Sequence, residues 1–110
     1  MGKFVISKRT NGEFQFNLQA GNGEVILTSE GYSTKSNCEN GIESVKKNSQ
    51  DEKQFEKKTS TNGKAFFNLK ATNGQVIGSS QMYESESSRD NGIASVTSNA
   101  PNATIEDQSS

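Results

Sequence analysis

Residues 10–26 read TNGEFQFNLQAGNGEVI and residues 61–77 read TNGKAFFNLKATNGQVI. The two stretches are 51 residues apart, and the likeness extends on both sides of them. When the chain is slid on itself by that interval, 21 of 51 positions are identical without a gap. The matches include Phe4/Phe55, Phe16/Phe67, Leu18/Leu69, Tyr32/Tyr83, Gly41/Gly92, Ile42/Ile93, Ser44/Ser95 and Asn48/Asn99. An internal duplication decides the fold and is read before anything else. Two copies are too few for a solenoid. One copy alone is marginal as a domain, because so short a chain buries too little surface. The reading that follows is a single domain over 1–110. Repeats 1–51 and 52–102 share one core about a pseudo-twofold axis, and a short C-terminal strand and tail follow at 103–110.

Each copy carries the same grammar. A first strand is read at 3–8 and 54–59, a second at 13–20 and 64–71, and a third at 24–29 and 75–80. Phe14, Phe16 and Leu18 alternate with Gln15, Asn17 and Gln19, so one set faces a core and the other faces outward. Asn11-Gly12, Asn22-Gly23, Asn62-Gly63 and Asn73-Gly74 separate the strands, and Asn-Gly predicts type I′ hairpins. After Tyr32 and Tyr83 the period becomes helical. Ser33-Thr34 and Ser85 are candidate N-caps, with Ser36-x-x-Glu39 and Ser87-x-x-Asp90 as later capping boxes. Cys38, Ile42 and Val45 fall on one helix face, with Ile93 and Val96 as counterparts. Lys46-Lys47 suits a helix C-terminus, and Asn48 and Asn99 are expected to end each helix in a left-handed conformation. Gly41 and Gly92 sit inside these helices at a cost of about 1 kcal/mol against Ala, which predicts a close approach of helix to sheet. Residues 103–107 read as a last strand after Pro101, and Gln108–Ser110 as a frayed tail.

GNGEVILTSEGYSTKSNCENGIESVKKNS at 21–49 and GSSQMYESESSRDNGIASV at 78–96 resemble the YegP-like family of small bacterial proteins of unknown function, in its tandem-repeat form. The resemblance runs from about residue 2 to about residue 107. It implies an α+β fold. Duplicated β-β-β-α-β units would form a single mainly antiparallel sheet with exchanged end strands, and one helix per unit would pack on it. It brings no activity, substrate, cofactor or site residue.

The composition restricts chemistry. The chain has no His, one Cys and a net charge of -1. That removes the usual general base and the commonest metal ligand, and it argues against nucleic acid as a partner. No catalytic residue, metal or cofactor is expected, and the chain is read as no enzyme. Glu39 aligns with Asp90 near a helix N-terminus, where an acid is favoured by the macrodipole. Cys38 reads as a small core residue. The single Cys, the missing leader and the lack of a long apolar run place the chain in the cytoplasm, with no membrane contact. The chain is expected to be a monomer of pseudo-dimeric form.

The surface left for binding is the outer sheet face, with Gln15, Asn17, Gln19, Phe66, Asn68 and Lys70 as the candidate interaction residues. Phe66 stands out because its counterpart is Gln15. An aromatic among amides and Lys suits a peptide anchor or a stacked base. The leading functional reading is therefore a small binding module for an unknown protein or peptide. Weak single-stranded nucleic-acid binding through the sheet is the alternative, and a carboxylate- or Ser-based enzyme ranks last.

Overall fold

The computed structural model describes residues 2–109. Each repeat forms a three-stranded antiparallel meander followed by a helix. In the first these are β1 (Lys3–Lys8), β2 (Phe14–Gln19), β3 (Val25–Ser29) and α1 (Lys35–Asn48). In the second they are β4 (Phe55–Thr59), β5 (Ala65–Lys70), β6 (Val76–Ser79) and α2 (Glu86–Asn99), and β7 (Thr104–Asp107) closes the chain. Short 3-10 turns at Glu52–Gln54 and Ala100–Asn102 link each helix to the next strand. All strands join one sheet in the order β4-β5-β6-β3-β2-β1-β7, antiparallel except where β7 runs parallel to β1.

The pseudo-twofold axis passes between β3 and β6. There Thr28 pairs with Ser79, its own counterpart in the repeat. Close to the axis the duplication has to break. Leu27 is fully buried, and its counterpart is Gly78. A Cβ at Gly78 would lie 2.9 Å from the Thr28 carbonyl and 3.1 Å from Leu27 Cγ, so only one of the two positions can carry a side chain.

Both helices pack on the face bearing Phe4, Ile6, Phe16, Leu18, Phe67 and Leu69, all completely buried. The aromatic core is built twice. Phe4 meets Phe16 edge-on at 5.7 Å and Phe16 stacks on Tyr32 at 6.3 Å. Phe55, Phe67 and Tyr83 repeat this at 5.6 and 6.5 Å. Such pairs contribute about 0.5–1.5 kcal/mol each beyond the area they bury.

The turns differ from the type I′ expectation. Gly12, Gly23, Gly63 and Gly74 have positive φ, but no non-glycine among the described residues does. At the first turn Gly12 N–H donates to the Arg9 carbonyl at 2.9 Å and Arg9 N–H to the Glu13 carbonyl at 2.7 Å. This is a three-residue loop with the glycine as a left-handed bulge. Asn11, Asn22 and Asn73 serve it through their side chains, each Oδ1 accepting the backbone N–H two residues on at 3.0 Å. The helices begin at the earlier of the expected caps. Thr34 Oγ1 accepts Asn37 N–H, and Ser85 Oγ accepts Ser88 N–H. They do not end as expected. Asn48 and Asn99 remain helical, and each turns its amide back onto the carbonyl and hydroxyl of Ser44 or Ser95.

Gly41 and Gly92 have a physical cause other than sheet proximity alone. A Cβ on Gly41 would overlap the Tyr32 hydroxyl, come within 2.8 Å of its Cζ, and meet the Phe16 ring at 3.0 Å. Gly92 stands in the same relation to Tyr83. Each glycine is the notch into which the repeated tyrosine fits. The tail is tied rather than frayed where it is described. Gln108 N–H donates to the Ile6 carbonyl at 2.8 Å and Ser109 N–H to Asp107 Oδ1 at 2.9 Å, while Ser110 lies outside the described residues.

Candidate functional site

The outer-face residues singled out from the sequence do share one side of the sheet, but much of their polarity is satisfied within the chain. On the second repeat Asn68 donates to Glu56 at 3.3 Å and accepts from Ser79 Oγ at 2.6 Å, and Lys70 donates to Glu56 at 3.1 Å. These bonds, Lys70 first and then Asn68, lower the pKa of the Glu56 carboxyl. Gln15 accepts from Arg9 Nε at 2.6 Å. Gln19 and Phe66 are half-buried, so Phe66 is not a freely projecting aromatic. Asn17 differs from Asn68. Val5 and Thr28 stand where the second repeat has Glu56 and Ser79, and the Asn17 Oδ1 is buried without a partner.

The helix face holds one surprise. Cys38 is fully buried as expected, and burial pushes its thiol up to about 11. Its counterpart is Arg89, which is also buried and donates from Nε to Asp90 at 3.3 Å. Asp90 also holds Lys57 at 3.3 Å. Desolvation works against the ionised Asp90 carboxyl, but the hydrogen bonds from Lys57 and Arg89 outweigh it and lower the pKa.

The two ends of the sheet are not equivalent. After α2 the chain continues through buried Ala100 and Ala103 into β7, which seals the edge of β1. After α1 the corresponding stretch starts alike. Ser49, the counterpart of Ala100, is buried, and its carbonyl accepts Thr97 Oγ1 at 3.1 Å. The paths then part at Glu52, the counterpart of Ala103. Glu52 is exposed, and the chain turns through Glu52–Gln54 into β4 itself. No strand among the described residues lies beside β4 where β7 lies beside β1.

The orientation of β4 follows from the hydrogen bonds. Phe67 N–H donates to Ser80 Oγ at 3.0 Å, so it points towards β6. Its partner across the ladder is Lys57. Residues opposite in an antiparallel pair that do not exchange bonds both point away from each other. The Lys57 N–H and C=O therefore face the open edge. The equivalent Phe16 donates to Ser29 Oγ at 2.9 Å, and its partner Ile6 uses its carbonyl for Gln108 of the β7 end.

Beside this edge lies a cleft of about 530 Å³, lined among others by Phe55, Lys57, Asp90, Ile93, Ala94 and Thr97. It is the place that β7 and its lead-in cover in the first repeat. Ile42 is completely buried there, whereas Ile93 is only partly so. Residues 52–56, the counterparts of 103–107, form the turn and the start of β4 and so do not lie beside it.

Comparison with known proteins places the chain. The model of a domain of unknown function, DUF1508, matches residues 10–56 and again 60–107. The chain belongs to this family. The UPF0339 protein YegP of Escherichia coli is 54% identical over 106 residues, covering 96% of each chain. A UPF0339 protein encoded in the 5′ region of the ptx operon of Stutzerimonas stutzeri is 55% identical over 104 residues, covering 94% of each. The solution structure of YegP superposes with a TM-score of 0.94 at 54% identity, over 98% of this chain and 93% of that one. That of a Shewanella oneidensis UPF0339 protein gives 0.93 at 54%, over 98% and 92%. The relatives share the fold of two helices on a mostly antiparallel seven-stranded sheet, and the family is one of unknown function. Nothing in these likenesses points to an enzymatic activity. Among the described residues no group of acids and Cys could hold a metal, and no helix is long and apolar enough to cross a membrane.

Proposed function

We propose that the protein is a non-enzymatic interaction module that binds an extended segment of a partner protein, which adds as a strand to the free edge of β4. The observation that carries this reading is the contrast between the two sheet ends. The same strand and helix pair that receives β7 on one side is left unfilled on the other, with the backbone of Lys57 directed outward and an apolar cleft beside it. Strand addition takes its affinity from main-chain hydrogen bonds and its selectivity from alternate side chains in pockets. Lys57 and Lys58 on the edge discourage indiscriminate pairing, a common device at sheet edges. The outer face is the less favoured surface, because Asn68, Lys70 and Gln15 already have partners there. The nucleic-acid alternative is weaker for the same reason, since base stacking needs freely exposed rings. A reducing compartment, the cytoplasm, suits the single buried thiol.

Selection of displayed decapeptides on the full-length protein tests the reading, with Lys57→Pro and Lys57→Ala as competitors. Proline removes the outward N–H without touching the β5 ladder. Peptides that bind the wild type and Lys57→Ala but not Lys57→Pro are the expected result. Failure to enrich any peptide, or enrichment indifferent to Lys57→Pro, would overturn it.

A further inference from the structure

The filled slot on β1 shows how the empty one on β4 is coded. β7 lies parallel to β1 with Ile105 opposite Phe4, Glu106 opposite Val5 and Asp107 opposite Ile6. Its two acids are each held by a cation of the first repeat. Lys3 Nζ meets Glu106 at 3.1 Å and Lys35, the first residue of α1, meets Asp107 at 2.7 Å. The second repeat changes every one of these contacts. Lys3 becomes Gln54, Lys35 becomes Glu86, and Val5 becomes Glu56. Ile6 becomes Lys57, whose ammonium meets Asp90 at 3.3 Å, a carboxylate that Arg89 also holds at 3.3 Å. Glu86 is exposed, and no described residue pairs with it. The apolar position is kept, because Phe55 stands for Phe4 and the cleft beneath it is lined by Ile93 and Ala94.

Resting on the strand-addition reading above, we infer that the β4 slot takes a parallel strand with an apolar residue opposite Phe55 and a basic residue opposite Lys57, directed at Glu86. The slot thereby rejects the chain's own acidic C-terminal strand from a second copy. In the register of β7, that strand would set Asp107 beside Glu86, the acid there that no described cation holds, whereas Glu56 is already held by Lys70 at 3.1 Å. Like charges placed so raise the cost of the wrong partner.

The test uses isotope-labelled full-length protein and two peptides. One carries this chain's own ATIEDQ segment, and the other the same segment with Glu106→Lys and Asp107→Lys. The basic peptide is expected to shift the amides of Phe55–Thr59 and Ile93 saturably, at least tenfold more tightly than the native segment. Glu86→Lys is expected to reverse that preference. Equal affinity of the two peptides, or a preference untouched by Glu86→Lys, overturns the charge rule and leaves strand addition standing. No shift at β4 with either peptide at millimolar concentration overturns both.

Discussion

The edge of β1 and the edge of β4 descend from one sequence pattern and differ in one strand. On β1, the chain after α2 has an alanine at 103 that stays buried and leads on into pairing. On β4, the chain after α1 has a glutamate at 52 that stays in solvent, and the polypeptide is consumed in making β4 itself. The duplication supplies two such slots, and among the described residues a strand fills only one of them. The comparison shows that duplication can create an unfilled site without any residue having been placed there to make it.

Substitutions at equivalent positions should separate the two halves. Ile42→Ala removes a fully buried side chain beneath the sealed end and should cost about 2–4 kcal/mol in urea unfolding. Ile93→Ala, beside the open cleft, should cost about half as much, and equal losses would break the comparison. Gly41→Ala and Gly92→Ala probe what the halves share. Alanine gains about 1 kcal/mol in helix propensity, but overlap with the tyrosine costs more. Each should therefore lose about 1–2 kcal/mol and melt lower, and a higher melting temperature would contradict the notch. Asn68→Ala should cost about 1 kcal/mol, because it strands Ser79 and Glu56. Asn17→Ala should be nearly neutral, since its Oδ1 has no partner to lose. The smallest effect concerns the β7 clasp. The Lys35 ammonium, with Ser109 in support, holds the Asp107 carboxyl well below its ordinary 3.8. Its pKa is depressed in the fold, so this contribution is present above about pH 3.8 and is lost as pH falls through the folded value. Lys35→Met should return the Asp107 titration, followed by side-chain carbon shifts, towards 3.8. The pair is exposed and screened by solvent, so the change in stability should be the smallest of these.

Most of the fold was legible because its determinants are local. Alternation of Phe14, Phe16 and Leu18 set the inner face, Asn-Gly marked the turns, and Ile42 and Val45 marked the helix. The turn subtype was not legible, since Asn-Gly serves type I′ loops and bulged three-residue loops alike, and side-chain capture by Asn decides only in three dimensions. The ends of the helices were misjudged because Asn48 and Asn99 had a nearer acceptor in Ser44 and Ser95. Arg89 was missed because a buried guanidinium leaves no hydrophobic trace in α2. The outer-face residues share one side of the sheet, as their alternation implies, but their mutual pairing depends on register across β4, β5 and β6. The open edge lay outside any motif. It exists only in the spatial arrangement of the two units, where β1 has a strand beside it and β4, among the described residues, has none.

Backbone amide hydrogen exchange of Ile6 and Lys57 tests the central claim most directly. These residues are counterparts with the same orientation, one facing β7 and the other facing no described strand. The account predicts an Ile6 amide protected close to the global unfolding limit and a Lys57 amide that exchanges orders of magnitude faster. Equal protection of the two amides in the free protein would mean that the β4 edge is already covered, and would contradict it.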